Sequence, residues 1–304
     1  MKAELYELTH VTTYDYRAPV TVSHHLMRLC PRRLPRQAIE FHSLAIDPAP
    51  ATLSQRIDYF GNDTTFATIQ GAHRSLRITS RSRVAVGPAF IPDPSETPPW
   101  EAVRGRCRSD RSLPVLEAIE YTFASPLVSL EPDFADYAAA SFPPGRSLLA
   151  AAVELNERIH ADFTFDPAAT TLSTPLRQVF AQRRGVCQDF AHLLIACFRS
   201  LGLPARYVSG YLETTPPPGQ ARLVGADASH AWVSLFLPDL GWVDLDPTNR
   251  CLPSLRHITV AWGRDYSDVS PIRGVLTGSG EHALAVAVDV VPLGPTQVAF
   301  GPGG

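Results

Sequence analysis

The sequence predicts an α+β protein in which a helix carrying a cysteine packs on an antiparallel sheet, behind an N-terminal β-sandwich-like domain. Three observations predict it. Residues up to about Val86 show short alternating runs, clearest at Glu4 to Tyr16, Ala38 to Ile46 and Ser75 to Val86. From Leu116 helical periodicity takes over and leads to an apolar run around Cys187. Two β-rich runs between Ser229 and Asn249 then flank Pro238-Asp239-Leu240-Gly241, which is a hairpin signal. At 304 residues and 45% hydrophobic content the chain suffices for one large or two ordinary domains with a proper core.

In chain order, residues 1–95 form the β-rich domain, with Phe60-Gly61-Asn62-Asp63 as a turn between strand-like segments. Residues 87–114 carry Pro92, Pro94, Pro98, Pro99 and Pro114 and read as a linker over the surface; 96–145 as a whole reads as linker and short helices. Arg104, Arg106, Arg108 and Arg111 are expected on a solvated face, as are Arg28, Arg32, Arg33 and Arg36, which lack the interleaved aromatics of a nucleic-acid platform. Asp133 to Ala140 is a short helix broken by Pro143-Pro144-Gly145, and Ser147 can cap a second helix to about Ala161, opening a core over 146–262. Phe163 to Asp166 is extended. Ser173 or Thr174 is expected to cap a helix starting at Pro175, which ends near Arg183-Arg184-Gly185, where glycine permits a sharp turn. Arg206 to Leu212, Ile258 to Trp262 and Ala283 to Val291 read as strands, and 263–304 is expected to complete a sheet or barrel against the core. Glu213 to Asp227, with Pro216-Pro217-Pro218-Gly219, is expected to overhang a cleft and select substrate, and Gly301 to Gly304 to be loose.

Cys187 stands just before the helical run Gln188 to Ser200, which Gly202 and Pro204 stop. At a helix N-terminus the free N–H groups and the macrodipole favour a thiolate over the ordinary thiol of pKa about 8.5, although Asp189 in the same turn opposes this. The partner is sought in the hairpin. If Leu237 pairs with Gly241, or Phe236 with Trp242, then His230, Trp232, Trp242, Asp244 and Asp246 share one face. Asp246 is then the diagonal neighbour of His230, about 7–8 Å away between Cα atoms, and Asp244 lies a pair further. A register shifted by one residue would turn both acids away from His230. Asp246 is therefore the expected orienting acid.

Gly185-Val186-Cys187-Gln188-Asp189-Phe190-Ala191-His192, Gly202 to Tyr211, His230-Ala231-Trp232 and Gly241-Trp242 through Asp246-Pro247-Thr248-Asn249 resemble the bacterial branch of the transglutaminase-like superfamily, strongly from roughly Ser147 to Asn249. Leu26 to Pro31 and Asp58 to Asn62 are similar to the N-terminal region that accompanies that core; a scaffold and a substrate-gating domain are both compatible with the likeness, and a scaffold is preferred. The resemblance implies a papain-like, transglutaminase-like core with Cys187 as nucleophile, His230 as base and Asp246 as acid. It implies thioester acyl-enzyme chemistry on an amide or peptide bond. The Cys187 N–H is one expected oxyanion donor; Gln178 and Gln182 are candidates for a second, and Gln188 is a candidate to line the site. No acidic, glycine-containing calcium loop is present. Hydrolysis is thus preferred to transferase chemistry forming isopeptide bonds, with an inactive binding module as a further alternative.

Other classes find little support. The net charge of −3 gives no general reason to expect nucleic acid or an anionic membrane, no run approaches the ~20 apolar residues of a membrane span, and the N-terminus lacks the apolar core of a signal peptide. A cytoplasmic enzyme acting on a peptide or protein is expected, without a cofactor. Five scattered cysteines, Cys30, Cys107, Cys187, Cys197 and Cys251, suggest neither a disulfide framework nor a zinc site, and His24-His25 stand alone. His192, five residues past Cys187, should point away from it and serve packing; His160 and His257 carry no expected role.

Overall fold

The structure, a computed structural model, describes residues 2–214, 229–278, 281–298 and 300. The chain begins with β1 (Lys2–Met27), β2 (Gln37–Asp47), β3 (Thr52–Ile57) and β4 (Asp63–Val86). Helices α1 (Trp100–Ser109), α2 (Leu113–Ile119), α3 (Pro132–Ala139) and α4 (Leu148–Asp162) follow. Next come β5 (Thr164–Phe165), α5 (Leu176–Gln182), β6 (Arg184–Gly185) and α6 (Cys187–Ser200). The core sheet is built from β7 (Ala205–Leu212), β8 (Ser229–Leu237), β9 (Gly241–Leu245) and β10 (His257–Gly263), and the chain closes with α7 (Tyr266–Val269), β11 (Ile272–Thr277) and β12 (His282–Gln297). Among the described residues no helix is long and apolar enough to cross a membrane.

The first sheet is organised on two long antiparallel strands, β1 and β4, whose register shifts between Asp15 and Val22. That irregularity divides the sheet. One half has β12 beside β1 and β2 beside β4; the other has β11 beside β1 and β3 beside β4. Tyr16, Leu76 and Ile78 from the first half meet Met27, Ala67 and Ile69 from the second in one buried cluster, so the sheet doubles over in a sandwich-like unit. Further along the first half, Tyr6, Leu8, Val84 and Val86 join the apolar cluster around α4 and α6.

Residues 263–304, expected to complete a sheet or barrel against the core, complete the N-terminal sheet: β11 and β12 pair with β1, and Val288 and Val290 of β12 join the apolar cluster of the core. The reason is geometric. A 26-residue strand leaves an entire edge of backbone donors and acceptors free beyond β4, and the returning chain covers it. The proline-rich linker is also more ordered than expected. Pro99 serves as N-cap of α1 and Pro114 occupies the first turn of α2, where a missing N–H costs nothing, while Val103, Cys107, Val115 and Ala118 anchor both helices inside. Similarly, the cap of α5 is Pro175 itself, one residue later than expected.

In the core, α6 is buried from Gln188 to Arg199 and lies against β8 and β7. It ends where Gly202 adopts φ +77°, with Gly202 N–H donating to Arg199 O at 2.8 Å and Leu203 N–H to Phe198 O at 3.0 Å. The sheet order is β10-β7-β8-β9. β10 is an edge, and side-chain amides of the N-terminal unit blunt it. Gln37 donates to Thr259 O at 2.7 Å and accepts from Thr259 N–H at 2.8 Å; Asn62 does the same to Trp262, at 2.9 Å in both directions.

The four arginines of segment 28–36 do not form the solvated face expected of them. Arg28 is buried against Asp58 at 2.9 Å, Arg32 lies 3.5 Å over the Trp262 ring, and Arg36 reaches Asp244 at 3.3 Å, leaving Arg33 exposed. They are drawn in because the segment crosses the seam beside β10, where acids and indole faces await them. The loop expected to overhang the cleft, and the glycine-rich tail from Gly301, lie outside the described residues, apart from Glu213 and Thr214 at the loop's start.

Candidate functional site

Cys187 is the first residue of α6 and is partly exposed. Its amide N–H has no backbone acceptor among the described residues, which leaves a donor free at the positive end of the helix. Asp189, three residues into the turn started by Val186, folds back so that its carboxylate accepts from Val186 N–H at 2.8 Å and from the Thr170 hydroxyl at 2.7 Å. Burial raises its pKa against those two bonds. The chain folds this way because Gly185 has no side chain: a Cβ there would lie 2.6 Å from the Asp189 carboxylate. Space, rather than a positive φ, is what Gly185 supplies; the left-handed residue of this turn is Arg183, at φ 54°.

The hairpin adopts the expected register, with Leu237 opposite Gly241, Phe236 opposite Trp242 and Ser234 opposite Asp244. His230 near the start of β8 therefore shares a face with Trp232, and Asp246 follows directly on β9. His230 Nε2 lies 2.7 Å from Asp246 Oδ2. Asp244 is instead engaged by Arg36 and the Ser234 hydroxyl.

Asp246 is fully buried and its carboxylate has five donors. Oδ2 takes His230 Nε2, His257 Nε2 at 3.0 Å and Asn249 Nδ2 at 2.7 Å; Oδ1 takes the N–H groups of Thr248 at 2.9 Å and Asn249 at 3.0 Å, an Asx turn. Burial alone would favour the neutral acid, yet the bonds from His230 and His257, the charge of His230 and the Asn249 amide outweigh it and hold the group well below the usual carboxylate range. An ionised carboxylate only accepts, so each Nε2 carries a proton and His230 has Nδ1 left for the sulfur.

Burial likewise disfavours a charged His230. The Asp246 hydrogen bond, a hydrogen bond with Cys187 and the charges of both outweigh it and raise the ring from 6.5 to about 10. The imidazole is thus hydrogen-bonded to the carboxylate and near enough to the sulfur to feel its charge. Burial pushes the thiols of Cys30 and Cys197 up to about 12 and that of Cys251 to about 11, and raises Cys107 as well.

Four neighbours of the site carry no role in the sequence reading. His257 is a direct partner of the acid; Asn249 closes the turn onto it; Asn156 donates to Asp246 O at 3.2 Å; and the wholly buried Trp232 ring stands 6.0 Å from His230 and, edge-on, 5.2 Å from His257. Gly210, opposite His230 on β7, leaves room for that indole: a Cβ would come 2.5 Å from the Trp232 ring and 2.1 Å from Ile258 O. His192 is buried and accepts from Tyr266 N–H at 3.2 Å, a packing role as expected. Gln178 and Gln182 are exposed on α5, while Gln188 is buried. The ligand atoms of His230, Asp246 and His257 lie within 4.8 Å of one another, a donor set that could suit a metal. Here both imidazoles instead direct protonated nitrogens at a single oxygen, and a metal would have to displace those hydrogen bonds.

Two family models match the chain: the bacterial transglutaminase-like N-terminal region over residues 6–85 and the transglutaminase-like superfamily over residues 137–247. The chain belongs to the transglutaminase-like superfamily. An uncharacterized protein of Mycobacterium tuberculosis is 44% identical over 296 residues, covering 94% of this chain and 92% of the relative. A protein-glutamine gamma-glutamyltransferase of Pseudomonas aeruginosa is 34% identical over 99 residues, 30% of this chain but 15% of that protein. The fold is shared with a Cytophaga hutchinsonii protein described as a "putative cysteine protease", at a TM-score of 0.72 and 18% identity over 100% of this chain and 95% of that one.

Proposed function

We propose that the protein is a cysteine-dependent hydrolase of amide or peptide bonds, with Cys187 as nucleophile, His230 as base and then acid, and Asp246 as the group that orients and stabilises the imidazole. The observation that carries this reading is the connection of a partly exposed thiol at a helix N-terminus, through one imidazole, to a fully buried carboxylate with five donors. His230 takes the thiol proton on Nδ1, and the thiolate adds to the substrate carbonyl. The oxyanion is met by the free Cys187 N–H. Collapse expels the amine, which receives the proton from His230, and leaves a thioester that an activated water hydrolyses.

A second reading keeps the same triad and lets an amine replace water. The stretch similar to a protein-glutamine gamma-glutamyltransferase favours it. Incubating the protein with a glutaminyl peptide library, with and without a primary amine, and weighing the products decides between them. Hydrolysis predicts peptides 1 Da heavier per deamidated glutamine, or cleaved peptides, with no amine adduct. Amine adducts as the main product would overturn hydrolysis in favour of transfer.

A further inference from the structure

On the face of the core sheet that carries Trp232 and Ser234 there is a cavity of about 540 Å³, between β7 to β10 and the segments at Leu34–Arg36 and Pro88–Pro92. Its floor holds Arg206. This side chain is only 8% exposed, and its guanidinium lies 3.6 Å from the Trp262 ring centroid and 4.0 Å from that of Trp242. Among the described residues none accepts a hydrogen bond from it, and its Nε is buried without a partner. A buried Nε–H with no acceptor is costly, because it has left water and gained no partner. Burial pushes its pKa down to about 9, helped by Arg32 and opposed by Tyr121 and Asp244, so it remains a cation at neutral pH.

The surroundings define what would complete it. Asp244 is the one acid among the lining residues, and it is engaged by Arg36 at 3.3 Å and by the Ser234 hydroxyl. Arg32, stacked 3.5 Å from the Trp262 ring, adds a further positive charge nearby. The balance is positive by a modest margin, and a dianion would meet Asp244. The mouth is apolar: Phe90 is 81% exposed, and Ile91 and Leu240 stand beside it. A planar fork held between two indoles suits bidentate binding of a flat, singly charged group.

We propose that this cavity is a binding site for a carboxylate attached to an apolar group, with Arg206 as the anion-binding residue and Trp242 and Trp262 holding its plane. The source is either the C-terminal carboxylate of a peptide ending in an apolar residue or a free organic acid. The buried Trp232 separates the cavity from His230 on β8, so this is a second site and does not depend on the proposed hydrolysis.

Binding is tested by calorimetry and tryptophan fluorescence on the full chain carrying Cys187→Ala, so that no turnover enters the result. The probes are 4-methylpentanoate and its amide, and the peptide Ala-Ala-Leu with a free or an amidated C-terminus. At least one free acid should bind, its amide at least tenfold more weakly; a peptide preferred over 4-methylpentanoate identifies a C-terminus as the source, and the reverse a free acid. Arg206→Met should weaken acid binding at least tenfold. Leu240→Glu at the exposed mouth provides a second, independent test and should weaken it similarly by repulsion. Equal binding of acid and amide, no binding of either acid, or acid binding unchanged in a folded Arg206→Met or in Leu240→Glu would overturn the proposal.

Discussion

One sheet holds two buried charges in opposite circumstances. At the end of β9, Asp246 has five hydrogen-bond donors, two of them imidazoles; on β7, Arg206 has two aromatic faces and, among the described residues, no acceptor. A buried ion with a full set of partners is stabilised in its charged form, and removing it strands every partner. A buried ion without partners is destabilising by itself, and its retention points to a group absent from the chain. The first arrangement is satisfied by partners among the described residues, as the proposed catalytic role requires; the second is the one proposed to take a ligand.

The largest effect that sharpens this contrast is on turnover. Cys187→Ala should lower kcat by about 10⁴-fold or more while the thermal midpoint stays near that of the parent; His230→Ala should lower kcat as far, as found where triad members act as a unit, and should also lower the midpoint because it removes a partner of the buried Asp246. Residual activity within about tenfold would break the assignment. Asp246→Asn comes next, with a loss of about 10²- to 10⁴-fold, because an amide can present a donor to Nε2 and stabilise the wrong tautomer. His257 touches the acid and not the sulfur, so His257→Leu should cost less, on the order of tenfold in kcat with little change in KM.

Stability separates the two charges directly. Asp246→Ala leaves two imidazoles, an amide and two backbone N–H groups without their acceptor and should destabilise by about 3–5 kcal/mol in denaturant unfolding. Arg206→Met, which keeps the packing between indoles and removes an unpaired ion, should change stability by less than about 1 kcal/mol or increase it. Equal losses for both would break the comparison. The pH dependence has a definite sign. His230 is raised above 6.5, so its charge stabilises the fold fully below 6.5 and the contribution is lost as pH rises through about 10. Asp246 is depressed below 3.8, and its contribution is present above 3.8 and lost at lower pH. The alkaline fall in thermal midpoint should flatten in His230→Ala.

Much of this was legible in the sequence because it is local. The hairpin turn and the alternation around it determine a register, and the register singles out Asp246 over Asp244; the apolar run, Gly202 and Pro204 bound the Cys187 helix. What stayed illegible depends on non-local pairing. His257 reaches Asp246 only because β10 lies beside β7 and Gly210 leaves room for Trp232 between them, an order that no local pattern encodes. Arg28, Arg32 and Arg36 read as surface charge because their acid and aromatic partners lie 30 to more than 200 residues away in sequence. The C-terminal strands read correctly as strands, but alternation cannot tell which of two sheets has a free edge.

The measurement that bears most directly on the thiol–imidazole–carboxylate chain is the rate of Cys187 alkylation by iodoacetamide as a function of pH, followed by mass spectrometry of the modified peptide. Activation by His230 predicts that Cys187 labels faster than the four other cysteines and that its labelling slows at least about tenfold in His230→Ala. Labelling of Cys187 at the same rate in the parent and in His230→Ala across the whole pH range would contradict the account.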